Sequence, residues 1–159
     1  MNLQPATSRM RDRAQGSYSS DQGFIPVSAI RMMIVDDKAS MRSLTRRSLE
    51  HLGLVQIFEA SSASEAIAIA RLRRVHIVIS ESKLPETSGL DLLKAVRADP
   101  ILSRIGFILL VNSDDAVARE AASLGVSGLI AKPFTMFDLK NRVDALFSLL
   151  SRDPLQWGA

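Results

Sequence analysis

The chain has 159 residues, of which 47% are hydrophobic and 23% charged, and this is typical of one soluble globular domain with a sizeable core. It has no cysteine, which excludes a disulfide scaffold and a thiolate metal site. The net charge of +3 does not indicate a nucleic-acid-binding surface, and no apolar run approaches the roughly 20 residues of a membrane span. We therefore expect a cytoplasmic protein without nucleic-acid binding or membrane insertion.

Both ends of the chain differ in composition from its centre. Residues 1–29 are rich in Ser, Gln, Arg and Gly and show no helical or strand periodicity, which predicts a flexible, disordered N-terminal tail. Residues 151–159 contain Pro154 and Gly158 and predict a short C-terminal tail. The folded domain is therefore expected at residues 30–150.

Between the tails, short apolar runs alternate with segments of helical periodicity. The predicted strands are, in chain order, residues 31–35, 55–58, 76–79, 107–111 and 128–131. A helix follows each strand, and the helix ends are indicated by Gly53, Ser62, Ser88, Gly125 and Thr135. Apolar strands that alternate with helices predict an α/β fold, a flavodoxin-like (βα)5 doubly wound parallel five-stranded sheet in a single domain.

Polar residues follow four of the predicted strands. They are Asp36, Asp37, Ser80, Glu81, Asn112, Ser113 and Lys132. Because ligands of doubly wound sheets bind beyond the carboxyl ends of the strands, we expect the three carboxylates and the lysine to share one pocket. Crowded carboxylates repel one another and favour a cation, and Mg²⁺ prefers oxygen ligands. A lysine there can neutralise a carboxylate or a phosphoryl group.

The same residues stand in a pattern that resembles the CheY-like receiver domain of two-component response regulators, over about residues 30–150. The similar segments are Ile34-Val35-Asp36-Asp37 for the acidic pair, Leu84-Pro85 with Ser88-Gly89 for the loop after the phosphoacceptor, and Lys132-Pro133-Phe134 for the lysine and its proline. The resemblance implies a signalling domain that is not an enzyme. It also makes the bond before Pro133 a candidate cis peptide.

Three positions depart from the family's pattern. The family's phosphoacceptor aspartate lies four residues before the loop proline, where this chain has Glu81. The switch Thr or Ser after the fourth strand corresponds to Asn112, and the switch Tyr or Phe of the fifth strand corresponds to Leu129. The segment from Asn112 to Gly125 is also shorter than is usual, so we expect a short fourth helix.

Glutamate is longer than aspartate by one C–C bond, about 1.5 Å, and a misplacement near 1 Å can slow a reaction about 10²-fold. The longer side chain could pair directly with Lys132, and Glu81 is then a partial mimic of the phosphorylated state. The plainer interpretation, in which Glu81 is a loop residue without this role, stays equally open. The acidic pair could also simply cap the first helix. Mg²⁺ held by Asp36, Asp37 and Glu81 is expected to bind weakly.

These features predict a stand-alone, atypical receiver, or pseudo-receiver, that acts as a protein-interaction module in bacterial two-component or phosphorelay signalling. The expected partner is a histidine kinase, a phosphotransfer protein or a motor or signalling component. The resemblance places the contact on the fourth helix, fifth strand and fifth helix, near Ala118, Leu129, Lys132, Phe134 and Phe137.

Two alternatives stay open. In the first, the receiver accepts a phosphoryl group on a noncanonical residue, namely Ser80, Ser82 or Glu81 itself. In the second, the receiver fold senses a small anionic ligand such as a cyclic dinucleotide, through Arg9, Arg11 and Arg13 of the N-terminal tail.

Overall fold

The computed structural model describes residues 25–112 and 115–152. Its centre is a parallel sheet of five strands, β1 (Arg31–Val35), β2 (Gln56–Ala60), β3 (Ile77–Glu81), β4 (Gly106–Val111) and β5 (Gly128–Ala131). The strand order is β2-β1-β3-β4-β5, so the chain extends the sheet first to one side of β1 and then to the other. The flavodoxin-like, doubly wound sheet predicted from the sequence is confirmed.

Five helices cover the two faces of this sheet. They are α1 (Ala39–His51), α2 (Ala63–Arg73), α3 (Gly89–Ala98), α4 (Asp115–Ser123) and α5 (Met136–Arg152). Side chains alternate along each strand, so that Met33 and Val35 pack with α2, α3 and α4, whereas Met32 and Ile34 pack with α1 and α5. Both faces of the sheet are therefore buried, as the continuous apolar strands predicted.

The helix ends follow the capping signals in the sequence. Ser62 and Ser88 accept hydrogen bonds from the backbone of α2 and α3, three residues further on. Thr135 and Asp138 form a reciprocal capping pair at the start of α5. Gly53 has a φ of +92°, the left-handed conformation that ends many helices. The fourth helix has nine residues and is short, as expected.

Two boundaries differ from the sequence prediction. Residues 25–29 were assigned to the flexible tail, but Val27–Ala29 form a short 3₁₀ helix, and Ile25 and Val27 pack against the core. At the other end, α5 continues to Arg152, past the predicted boundary at residue 150. The rest of the two predicted tails, residues 1–24 and 153–159, lies outside the described residues. Among the described helices, none is long and apolar enough to cross a membrane.

Candidate functional site

The carboxyl ends of β1, β3, β4 and β5 meet around one cavity of about 570 Å³. The strand register aligns these ends, because Val35 lies opposite Ser80 and Glu81 lies opposite Leu110. The residues that line the cavity are Asp36, Asp37, Lys38, Met41, Glu81, Lys83, Leu84, Pro85, Asn112 and Lys132. The acidic pair, Glu81, Asn112 and Lys132 of the sequence prediction therefore lie together.

Glu81 and Lys132 form an ion pair at the centre of this cavity. Lys132 Nζ donates to Glu81 Oε2 at 2.5 Å, and the glutamate is only 8% exposed. The other carboxylate oxygen, Oε1, accepts longer hydrogen bonds from Ser82 Oγ at 3.3 Å and from the backbone N–H of Lys83 at 3.5 Å. The ladder with β4 continues to Glu81, so its backbone is fixed by the sheet. The carboxylate is thus held from both sides.

Asp36 is the second buried carboxylate of the cavity. Its Oδ1 accepts the backbone N–H of Lys38 at 2.9 Å, and its backbone carbonyl accepts Arg42 Nη1 at 2.7 Å. Burial raises the pKa of the Asp36 carboxyl above its ordinary value, and the negative charges of Glu81 and Asp37 act in the same direction. The plain helix-cap interpretation is not supported, because Asp36 bonds the amide of Lys38, the N-cap residue of α1, and not an amide of the first helical turn.

The loop after β3 is folded tightly beneath Glu81. Lys83–Leu84 pairs with Thr87–Ser88 in a two-residue antiparallel ladder. A Cβ at Gly89 would lie 2.4 Å from the carbonyl oxygen of Glu81 and 2.6 Å from Leu109 Cδ1, so no larger residue fits without a backbone shift. The resemblance included Gly89 as part of a motif, but its packing role beneath Glu81 was not predicted from the sequence.

The remaining candidate residues lie apart from the cavity or behind it. Leu129 is half-buried and lines a second groove of about 470 Å³ between β5 and α5, together with Pro133. The Lys132–Pro133 peptide bond is cis. Ser80 is fully buried and its hydroxyl donates to the carbonyl of Glu81, so it does not face the cavity. Ser113, Arg9, Arg11 and Arg13 lie outside the described residues.

The family model of the response regulator receiver domain matches residues 32–144. The chain belongs to the response-regulator receiver family. The match begins at the second residue of β1, covers the other four strands completely and ends about halfway along α5.

Curated relatives of this receiver include chemotaxis proteins whose length the matched segment covers almost completely. The "Probable chemotaxis protein CheY" of Rhizobium etli is 35% identical over 122 residues, which cover 76% of this chain and 95% of the relative. The chemotaxis protein CheY of Pseudomonas aeruginosa is 32% identical over 121 residues, 74% of this chain and 96% of the relative.

Solved structures give the same fold. The receiver domain of a Syntrophus aciditrophicus signal transduction histidine kinase has a TM-score of 0.71 at 28% identity, and covers 78% of this chain and 94% of its own. A response regulator receiver domain from Clostridium thermocellum has a TM-score of 0.70 at 24% identity. The match covers 76% of this chain and 95% of that domain, and it supports the fold alone.

Receivers of the CheY type typically bind Mg²⁺ for phosphorylation. The geometry of this receiver does not fit that ion well. Within residues 25–112 and 115–152, no three His, Cys, Asp or Glu side chains are grouped closely enough to hold a metal ion. Glu81 directs one carboxylate oxygen at Lys132, and Asp36 directs one at the Lys38 amide. A ligand set for Mg²⁺ would require at least the Glu81 contact to open.

Proposed function

We propose that this receiver is an atypical member of its family that acts as a protein-interaction module and is not switched by ordinary aspartyl phosphorylation. The observation that carries the proposal is the ion pair between Glu81 and Lys132. By the family pattern, Glu81 stands at the phosphoacceptor position and Lys132 is the lysine that would meet a phosphoryl oxygen. In this chain the lysine already bonds a carboxylate, so its charge is compensated without phosphorylation.

The two switch positions support the same proposal. Asn112 lies at the edge of the cavity and is exposed, but it has an amide in place of the small hydroxyl that would bond a phosphoryl group. Leu129 packs against the core cluster and has no polar tip with which to exchange a buried for an exposed position. The chain therefore lacks the side chains that would couple phosphorylation in the cavity to a change at the groove on β5.

Glu81 is best understood as a partial mimic of the phosphorylated state. It brings one negative charge to Lys132, whereas a phosphoryl group brings about −1.5 to −2 charge and three acceptor oxygens. The two oxygens of Glu81 accept from Lys132, Ser82 and the Lys83 amide, and among the described residues neither is bonded to Asn112. The contact with Glu81 thus holds Lys132 in place without engaging the switch position Asn112. Weak Mg²⁺ binding follows, because the ion would compete with Lys132 for the Glu81 carboxylate.

The proposed partner surface is formed by α4, β5 and α5. Phe137 is 69% exposed at the start of α5, and Met136 beside it is also exposed. Asp138, which follows them directly in the sequence, lines the groove between β5 and α5. Large exposed apolar side chains beside a groove are typical of a protein contact, and CheY-like receivers act through kinases and motor components. We propose a histidine kinase, a phosphotransfer protein or a motor or signalling component as the partner.

Affinity capture followed by mass spectrometry tests this proposal. The receiver is used as bait with and without Mg²⁺ and acetyl phosphate, beside the Phe137→Ser variant. A Leu44→Ser variant is the matched control, because Leu44 is an exposed apolar residue on α1. We expect one partner that is recovered equally with and without acetyl phosphate, lost with Phe137→Ser and kept with Leu44→Ser. A partner that is recovered only with acetyl phosphate would refute the proposal.

A second candidate function is a receiver that accepts a phosphoryl group at Ser82. Its hydroxyl is half-exposed and points at Glu81 Oε1 from 3.3 Å, so a carboxylate that could take its proton is adjacent. Ser80 is too deeply buried for this role. The two candidates differ in whether the chain gains a stable phosphoryl group, which the mass of the intact protein reports.

A further inference from the structure

The end of the sheet opposite the Glu81 cavity carries an excess of positive charge. Residues 71–76 form the end of α2 and its connection to β3, and residues 97–106 form the end of α3 and its connection to β4. Together they contain five arginines and a single acidic residue, Asp99. Because α2 and α3 both end there, their C-terminal dipoles favour some cationic residues. The dipoles account for Arg71 and Arg73 in the last turn of α2, but not for Arg104, which lies beyond α3.

Side-chain contacts join these connections into one surface. Arg71 bonds the carboxylate of Asp99 and so ties the last turn of α2 to the end of α3. Arg31, the first residue of β1, donates from Nε to the carbonyl of Arg74 at 2.9 Å. The connection after α2 therefore adjoins both β1 and the connection after α3.

Little of this positive charge is neutralised by carboxylates. Asp99 is buried and already bonds Arg71. The guanidinium of Arg97 donates to backbone carbonyls, among them Ile105 at 2.7 Å and Gly125 at 2.9 Å, and has no carboxylate partner among the described residues. Arg73 lies over the Phe58 ring at 5.6 Å from its centroid. Arg73, Arg74 and Arg104 thus form no ion pair with a carboxylate among the described residues.

Two large aliphatic side chains stand among these cations. Leu72 is 76% exposed and Ile101 is 70% exposed. Leu72 precedes Arg73 and Arg74 directly, and Ile101 lies three residues before Arg104. We name the set Leu72, Arg73, Arg74, Ile101 and Arg104 the basic end. Its chemistry combines exposed guanidinium groups with exposed hydrocarbon, and neither is used by the cavity or by the proposed partner surface.

We propose that the basic end adsorbs this receiver to an anionic lipid surface. Guanidinium groups pair with lipid phosphates, and Leu72 and Ile101 reach the hydrocarbon boundary below them. A nucleic acid would match the charge, but it offers no apolar layer for these aliphatic groups, and the basic end has no aromatic side chain of its own on which a base could stack. The nearby aromatic ring, Phe58, is half-buried and covered by Arg73. The lipid surface matches both halves of the chemistry.

Sedimentation with vesicles tests the proposal on the full chain. We expect binding to vesicles of equal parts phosphatidylglycerol and phosphatidylcholine, and none to phosphatidylcholine alone. The variant with Arg73→Gln, Arg74→Gln and Arg104→Gln is expected to lose roughly 100-fold in affinity, since one arginine near such a surface contributes about 5-fold. The variant with Leu72→Ser and Ile101→Ser is expected to lose about 10-fold, and this loss should persist at high salt, where charge is screened.

A matched control separates the basic end from net charge. Arg47→Gln, Arg119→Gln and Lys140→Gln remove three exposed cations from α1, α4 and α5 and should change vesicle binding little. The proposal would be overturned if this control lost as much vesicle affinity as the triple variant at Arg73, Arg74 and Arg104. It would also be overturned if that triple variant bound vesicles as tightly as the unaltered chain. Binding of the protein to single-stranded RNA but not to the anionic vesicles would overturn it in favour of a nucleic acid. The result is independent of whether Glu81 accepts a phosphoryl group.

Discussion

Replacing Lys132 with methionine removes the ammonium group that bonds Glu81 Oε2 but keeps most of the aliphatic stem. Removal of one partner of a buried ion pair typically costs about 3–5 kcal/mol, because it leaves an uncompensated charge. Here the lysine side chain is 24% exposed, and Ser82 and the Lys83 amide still donate to Glu81 Oε1 at 3.3 and 3.5 Å. We therefore expect the free energy of unfolding to fall by about 2–3 kcal/mol, at or just below the lower end of that range.

Urea unfolding followed by circular dichroism at neutral pH measures this loss. Lys140→Met is the control, since Lys140 is exposed on α5 and its replacement should change the free energy of unfolding by no more than about 0.5 kcal/mol. Combining Lys132→Met with Glu81→Gln completes a double-mutant cycle, for which we expect a coupling energy of about 1–3 kcal/mol. A loss no larger than that of Lys140→Met, with no coupling, would refute the argument that the ion pair holds Glu81.

Three further predictions concern the glycine beneath Glu81, the buried histidine and the phosphoacceptor position. Gly89→Ala should lower the free energy of unfolding in urea by about 2–3 kcal/mol or more, because its Cβ would lie 2.4 Å from the backbone oxygen of Glu81. Gly128→Ala is the control: the nearest atoms to its Cβ are at 3.7 Å, and it should cost less than about 1 kcal/mol. Burial, with a smaller contribution from the charge of Arg31, lowers the pKa of His76 from 6.5 to about 4. As the pH falls, the histidine of the unfolded chain therefore binds a proton before the histidine of the folded chain does. The free energy of unfolding should then fall by about 3 kcal/mol as the pH drops from 6.5 to 4. Glu81→Asp should not restore phosphorylation-dependent partner binding in a pull-down, because the switch positions are unchanged.

Each of these has a result that contradicts it. Equal effects of the Gly89 and Gly128 substitutions would show that the loop beneath Glu81 can shift. A His76→Asn variant keeps an acceptor for the backbone N–H of Arg31, which now bonds Nδ1 at 3.0 Å, and should lose the histidine's part of the pH dependence. If the free energy of unfolding of that variant kept the same pH dependence, the dependence would arise from groups other than His76. Phosphorylation-coupled binding by Glu81→Asp would disprove the proposal that Asn112 and Leu129 cannot transmit a phosphoryl signal.

The fold could be predicted from the sequence because its signals are local and repeated. The apolar runs gave β1 and β5 their observed bounds, and Ser62 and Ser88 marked helix starts correctly. For β3 the apolar run predicts an end at Ile79, because Ser80 is polar, but the strand continues for two further buried residues. The backbone ladder continues to Glu81, since strand pairing uses main-chain groups whatever the side chain is.

The site could be predicted in part, because parallel strands bring their carboxyl ends to one edge of the sheet. That rule grouped Asp36, Glu81 and Lys132, and the contact between Glu81 and Lys132 is present. The packing of Gly89 could not be predicted, because it depends on an approach between two segments that only the folded chain defines. The same holds for the arginines of the basic end, because the ends of α2 and α3 are joined by a contact between Arg71 and Asp99 that forms only in the folded chain.

The mass of the intact protein after incubation with Mg²⁺ and acetyl phosphate tests the central claim most directly. The Glu81→Asp variant is measured in parallel, because it has the family's residue at the phosphoacceptor position and reports whether the remaining cavity supports the reaction. We predict that the unaltered chain gains no phosphoryl mass at any time point. A phosphoryl adduct on the unaltered chain, labile if carried by Glu81 or stable if carried by Ser82, would contradict the account.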